Sequence, residues 1–197
     1  MAITPDMVKQ LREMTGAGMM DCKNALVESK GDVNLAVELL RKKGVAKAAK
    51  KIDRVTTQGI VYSYIHHNEK VGVLLVLGCE TDFVARTQDF HDLAKKISLQ
   101  IASMSPRWLS KEDVPEDILS KEKEIYIEEV KASGKPANIV DKIVENKINK
   151  FYEENCLLDQ IYVFGEGEKV KDLITQVIAK IGENIKVDKF TRYAIGE

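Results

Sequence analysis

Apolar residues recur along this chain with two periods, and the change between them divides it. Near the N-terminus the spacing is helical. Val8, Leu11 and Met14 share a face behind Thr4-Pro5, an N-cap followed by proline at the first helical position. Thr15-Gly16-Ala17-Gly18 stops that helix. A second is expected from about Met19, with Met20, Ala25 and Leu26 available for packing. Lys30-Gly31 closes it, Gly31 serving as a left-handed cap. Asp32 caps a third helix bearing Val33, Leu35, Ala36, Val37, Leu39 and Leu40, expected to end at Gly44. Arg41 to Arg54, RKKGVAKAAKKIDR, is basic, alanine-rich and without a sustained apolar stripe, so it reads as a helical linker. Such a run is a solvated face or a basic surface for an acidic partner. Nucleic acid is the weaker reading, since no aromatic residues interleave the charges.

From Thr57 the period becomes two. Gly59 to His66 reads as a strand, His67-Asn68-Glu69-Lys70 as a hairpin turn, and Val71 to Cys79 as the returning strand. Helical spacing resumes with Phe90, Leu93, Ala94, Ile97, Ile101 and Met104, a stripe that would lie on the hairpin. Helices are expected over about 116–132 and 137–154, separated by Ser133-Gly134-Lys135-Pro136. The second aligns Ile139, Ile143, Val144, Ile148 and Phe151; the first aligns Ile118, Ile125 and Val130 less cleanly. Two long helices around a short break make an antiparallel helical hairpin. Leu157 to Phe164 is irregular and extended, and Gly165-Glu166-Gly167 turns it. Val170, Leu173, Ile174, Val177, Ile178 and Ile181 form a last helix stopped by Gly182, and Asn184 to Ile195 alternates as a third strand.

The fold class is therefore α+β: an N-terminal three-helix module, then a small antiparallel sheet packed with helices and a helical hairpin. The module resembles the ubiquitin-associated type in size and in its early glycine turn. The expected division is 1–54, the module with its basic linker, and 55–197, an α+β core that includes the hairpin at about 116–154. A bundle as small as the first is usually a docking module.

Composition narrows the chemistry. The chain has 197 residues, 44% hydrophobic and 31% charged, with a net charge of −1, so no overall field gathers nucleic acid. Cys22, Cys79 and Cys156 are far apart and odd in number, which argues against a secreted disulfide framework and for small buried hydrophobes. His66 and His67 fall at the hairpin tip with no third ligand near in sequence. No apolar run reaches the ~18 residues of a membrane span. Met1-Ala2-Ile3-Thr4-Pro5 has no signal character, so a soluble cytoplasmic protein is expected. Gly16 and Gly18 lack the Lys-Ser/Thr of a phosphate loop, and no nucleophile elbow is visible. No catalytic residue, cofactor or metal ligand is assigned, and an enzyme with a diffuse site is the weaker reading.

The informative stretch is Cys79-Glu80-Thr81-Asp82-Phe83-Val84-Ala85-Arg86, a strand-to-helix junction. Thr81 or Asp82 can cap the helix. Phe83, one residue after the cap, either tucks under the sheet or stands out as an anchor for a partner's pocket; burial frequencies favour the core.

A resemblance bears on that choice. Residues 8–23, VKQLREMTGAGMMDCK, resemble the N-terminal signature of the elongation factor Ts family, and Cys79 to Ala85, CETDFVA, resembles its second signature. Gly134-Lys135-Pro136 with 138–144, and Ile181 to Ile185, are also similar to family segments. The resemblance covers essentially the whole chain in order, and one sheet unit instead of two matches the family's short form. It implies a nucleotide exchange factor for the GTPase elongation factor Tu, without covalent chemistry of its own. It implies that Thr81, Asp82, Phe83, Val84 and Ala85 intrude beside the nucleotide and disturb its Mg²⁺. It implies that Arg12, Met19, Met20 and Lys23 bind a helix of the GTPase, and that the chain is a homodimer, with no direct nucleic acid or membrane partner. The competing class is a ubiquitin-like or nucleic-acid-binding adaptor built on the first module.

Overall fold

The computed structural model describes residues 3–133 and 136–197, and of Ala137 and Asn138 the backbone alone. Met1 and Ala2, and Gly134-Lys135 at the centre of the expected break, lie outside the described residues. The architecture is α+β. Helices α1 (Pro5–Thr15), α2 (Met19–Glu28) and α3 (Val33–Ala49) precede strands β1 (Gln58–Ile65) and β2 (Val71–Cys79). A one-turn helix α4 (Asp82–Ala85) leads to α5 (Gln88–Met104), then to the hairpin of α6 (Glu116–Ala132) and α7 (Ala137–Asn155). Helix α8 (Val170–Ile181) and strand β3 (Ile185–Ala194) complete the chain. The sheet order is β1-β2-β3, so β2 is central.

The first helices form as their caps dictate. The Thr4 hydroxyl accepts the Met7 amide at 3.3 Å, and Asp32 accepts that of Leu35 at 3.0 Å. Gly16, at φ 66°, closes α1 by donating to Arg12 O. Val8, Leu11, Cys22, Ala25, Leu26 and Ala36 make one buried cluster. Met14, expected in it, is 66% exposed, and Met20 is 63% exposed, because three short helices enclose room for only one small core. Leu35 is also exposed. After α2 two successive residues are left-handed, Lys30 (φ 55°) and the expected Gly31 (φ 89°), and Gly31 donates to Leu26 O. The hydrogen bond that closes the turn fixes both residues.

Gly44 does not end α3. The helix runs through it to Ala49, taking in most of the basic run. Gly44 serves close approach instead: a Cβ there would lie 3.1 Å from the Cβ of Ala179 on α8. Beyond the helix the expected linker is tied down. Lys51 donates to Gly182 O, and the buried Asn184 donates to Arg54 O at 2.8 Å and Ile52 O at 3.2 Å.

By contacts the chain divides into two compact units. The first takes Met1–Val61, Val76–Ala94 and Asp172–Asp188; the second takes Tyr62–Leu75, Lys95–Lys171 and Lys189–Glu197. In the second, α6 and α7 pack through Val130, Val144 and Ile148, with Leu119, Tyr126, Ile127, Ile143 and Tyr152 around them. Ile125, expected in the stripe, is exposed, and the true face of α6 is set by Tyr126, Ile127 and Val130. Leu157 to Asp159 is a short 3₁₀ turn, not an extended segment. The chain on either side of it is locked by two fully buried glutamines. Gln100 donates to Gln160 Oε1 and to Ile161 O, both at 3.1 Å, and accepts the Val163 amide at 3.0 Å. Gln160 donates in turn to Glu154 O at 2.9 Å. Buried amides are tolerated only when satisfied in this way.

In the second unit one face of the sheet is bare. The His66 amide bonds Val71 O and the Ile195 amide bonds Lys70 O, which sets Ile65 and Tyr193 on either side of Gly72. Ile65 (64%), Leu74 (48%), Tyr193 (71%) and Ile195 (78%) are exposed there. On the other face Val73 and Leu75 are buried.

In the first unit β1 and β2 meet at Gly59, at φ 149°, where a Cβ would lie 2.2 Å from Leu77 O. Gly59→Ala combines backbone strain with a clash that no rotamer relieves. It is expected to cost about 2–4 kcal/mol in urea unfolding; an unchanged midpoint would show the approach is looser than the structure has it.

Candidate functional site

The site is the corner between β2 and α5. Strand β2 ends in Cys79, fully buried, whose thiol donates to Thr81 O at 3.1 Å. The chain then turns into α4. Four residues cannot form a helix by themselves, since nucleation costs more than one turn returns. Thr81 supplies the cap: its Oγ1 accepts the Val84 amide at 3.4 Å. Val84 and Ala85 point inward, 8% and 7% exposed, and hold the turn down. Thr87 ends it, donating from its hydroxyl to Val84 O at 2.8 Å and accepting the Phe90 amide at 3.4 Å, so it starts α5 as well. The helix expected over about 87–104 is α5, and the one-turn α4 is an extra turn before it, set off by Arg86-Thr87. In α5 Phe90, Leu93, Ala94, Ile97 and Ile101 are buried, whereas Met104, its last residue, is 42% exposed.

Phe83 lies between the cap and the inward pair, and it faces out. It is 80% exposed, the most exposed of the large hydrophobic side chains among the described residues. The core reading of Phe83 is therefore wrong: inward room on so short a turn is already taken by Val84 and Ala85. Asp82, half-buried, accepts a hydrogen bond from Arg86 Nη2 at 2.9 Å.

Groups remote in sequence brace the corner. Glu183 accepts the Thr81 amide on Oε2 at 3.0 Å and the Thr81 hydroxyl on Oε1 at 2.7 Å. Glu80 accepts the Asn184 amide at 2.6 Å and pairs with Arg54 at 3.4 Å. Asn184 also carries the bonds to residues 52 and 54 described above. Neither Glu183 nor Asn184 was singled out from its residue type. The available signal was an acid and an amide directly after a helix-stopping Gly182, at a helix-to-strand turn.

The same compact unit carries the second set of expected site residues. Met19 is 50% exposed, and Arg12 and Lys23 are exposed. Together with Met14 and Met20 they give α1 and α2 an open surface in which three methionines take part. Helical spacing alone puts Met14 on the core side, and the structure leaves it exposed. Lys180 of α8 runs across the turn between these helices: a Cβ on Gly16 would come within 3.1 Å of its Cε, and its Nζ bonds Asp89 on α5 at 2.6 Å. Among the described residues there is no group of three or more His, Cys, Asp or Glu placed to hold a metal, and no helix long and apolar enough to cross a membrane.

A presented aromatic on a braced corner and a methionine-bearing surface in the same unit are features suited to contact with another macromolecule. Comparison with known proteins gives the particular kind. The family model "Elongation factor TS" matches residues 6–197. Over 197 residues the chain is 71% identical to elongation factor Ts of Petrotoga mobilis and 59% identical to that of Fervidobacterium nodosum, covering 100% of both. It is 54% identical to elongation factor Ts of Thermotoga neapolitana over the whole chain and 99% of that protein. The chain belongs to the elongation factor Ts family.

Burial, then the charge of Glu183, pushes the Cys79 thiol up to about 11, and burial pushes Cys156 up to about 12. Both sit above the unfolded value of 9.0. Their contribution to stability is full below pH 9 and is lost as pH rises through the folded values. Urea unfolding is expected to show stability falling as pH rises from 9 toward 11, with a smaller fall in Cys79→Ala. A slope that is the same in both proteins would mean Cys79 is not held neutral by the fold.

Proposed function

We propose that this chain is the guanine nucleotide exchange factor of elongation factor Tu, and that the Thr81–Ala85 corner is the part that acts. The observation that carries the proposal is the 80% exposure of Phe83 on a turn held from both sides. The factor binds the GDP-loaded GTPase, and Phe83 enters an apolar pocket beside the nucleotide, displacing the groups that hold Mg²⁺ and the phosphates. Whatever binds the nucleotide-free state more tightly weakens GDP by the same factor. Asp82 enters with Phe83, while Thr81, Val84 and Ala85 hold the turn. Residues 1–54 act as the docking module, with Arg12, Met19, Met20 and Lys23 on a helix of the GTPase; methionine adapts to such irregular surfaces. Residues 55–197 are the working body. The chain itself takes no cofactor and makes no covalent bond.

The test is release of fluorescent GDP from elongation factor Tu. Phe83 has little core area to lose, so Phe83→Ala should melt within a few degrees of the wild type. Full burial of a Phe is worth roughly 1.5–3 kcal/mol, so catalysed release should slow about 10- to 150-fold. A large drop in melting temperature with normal release per folded molecule would contradict the anchor role.

A second copy of the chain is the proposed occupant of the bare sheet face. Ile65, Leu74, Tyr193 and Ile195 form one exposed apolar strip there, and the short form resembled by the sequence is typically dimeric. Light scattering at micromolar concentration should give about 44 kDa, twice 22.1 kDa, and Tyr193→Lys should shift the mass toward monomer. A wild-type monomer at that concentration removes the dimer.

A further inference from the structure

The corner that carries Phe83 is not held by its own neighbours alone. Of the groups around α4, one reaches Thr81 from 102 residues away: the Glu183 carboxylate, which closes on both the amide and the hydroxyl of Thr81. That two-point grip has a specific consequence. By accepting the hydroxyl proton, Glu183 leaves the Oγ1 lone pairs turned toward the Val84 amide, the bond that caps α4. Without that grip, a change of the Thr81 χ1 rotamer would carry Oγ1 away from the Val84 amide and release the cap.

We propose that Glu183 is a positioning residue for exchange: its carboxylate orients Thr81 so that α4 presents Phe83 in a fixed direction. This rests on the exchange function proposed above. Glu183 is partly exposed and needs no contact with the GTPase for this role. Its neighbour Asn184 adds a second tie, because it donates its amide to Glu80, directly before Thr81, and its side chain to residues 52 and 54. The Glu183-Asn184 pair therefore holds the corner and the tail of the first three helices from one short turn. Preorganisation of this kind lowers the ordering cost of docking, and its loss appears where the ring must enter a pocket.

The experiment compares wild type, Glu183→Gln and Glu183→Ala in the full chain. GDP release from elongation factor Tu is followed as a function of factor concentration, with amide hydrogen exchange of Thr81 and Val84 measured in the free factor. Glu183→Ala should lower the maximal release rate roughly tenfold, the loss of a hydrogen bond to a charged group. The half-saturating concentration, set largely by the methionine surface, should move less than about twofold. Protection of the Thr81 and Val84 amides should fall together. Glu183→Gln keeps an acceptor oxygen for the Thr81 amide and turns an NH2 donor toward the hydroxyl oxygen, so it should recover most of the rate. If Glu183→Ala does not fold, the Gln variant still decides, by a partial loss of maximal rate matched by a partial loss of protection at Thr81 and Val84. An unchanged maximal rate, or equal losses of rate and affinity that track melting temperature, overturns the positioning role. A wild-type chain that does not accelerate release overturns the exchange function itself, and the positioning role with it; the wild-type trace separates that failure from the first.

Discussion

The exposed aromatic depends on a polar grip between segments far apart in the chain. A four-residue helix has too few internal hydrogen bonds to persist in water. Here it persists because Thr81 is gripped by Glu183, and Val84 and Ala85 are buried beneath it. Removing the apolar pair would let the turn float, and removing the grip would let it fray from its N-terminal end. The outward side chain carries none of this load. Phe83 is therefore free to be spent on a partner, which is the reverse of the usual place for a phenylalanine.

The same economy governs the first three helices. Their shared core is small, six buried residues by cluster. Their methionines and basic residues remain on the surface, and further restraint comes from ties along α3 and its tail. Gly44 admits α8 closely, Lys51 and Asn184 fasten the chain after the helix, and Lys180 crosses the glycine turn. All of these partners fall in the same compact unit as the Phe83 corner. The proposed docking surface and the proposed acting residue thus share one unit, as the exchange reading asks of a factor that holds its partner and disturbs it at once.

The fold was largely legible from the sequence because its elements follow periodicity and caps. Thr4-Pro5, Asp32 and Gly182 mark their helix ends where the physics of orphan backbone groups requires. Where the structure departs from periodicity and caps, a distant contact or the edge of the core decides. Gly44 looked like a stop and is a point of close approach. Met14 and Met104 kept helical spacing but lie at helix ends, beyond the buried area. The buried Gln100–Gln160 pair gave no sequence signal, since polar residues at core positions are legible only once their partners are known. Phe83 was the instructive case. Frequencies favoured the core, and only the resemblance of its neighbours to a family signature pointed outward.

The most direct measurement places a fluorine label on Phe83 and follows its NMR signal in the free protein and with nucleotide-free elongation factor Tu. The free factor should give one resonance that shifts between H₂O and D₂O, as expected for a solvated ring on a fixed turn. On binding, the resonance should move and lose that solvent shift as the ring enters an apolar pocket. A resonance already insensitive to solvent in the free protein, or one that binding leaves unchanged, would contradict a presented anchor.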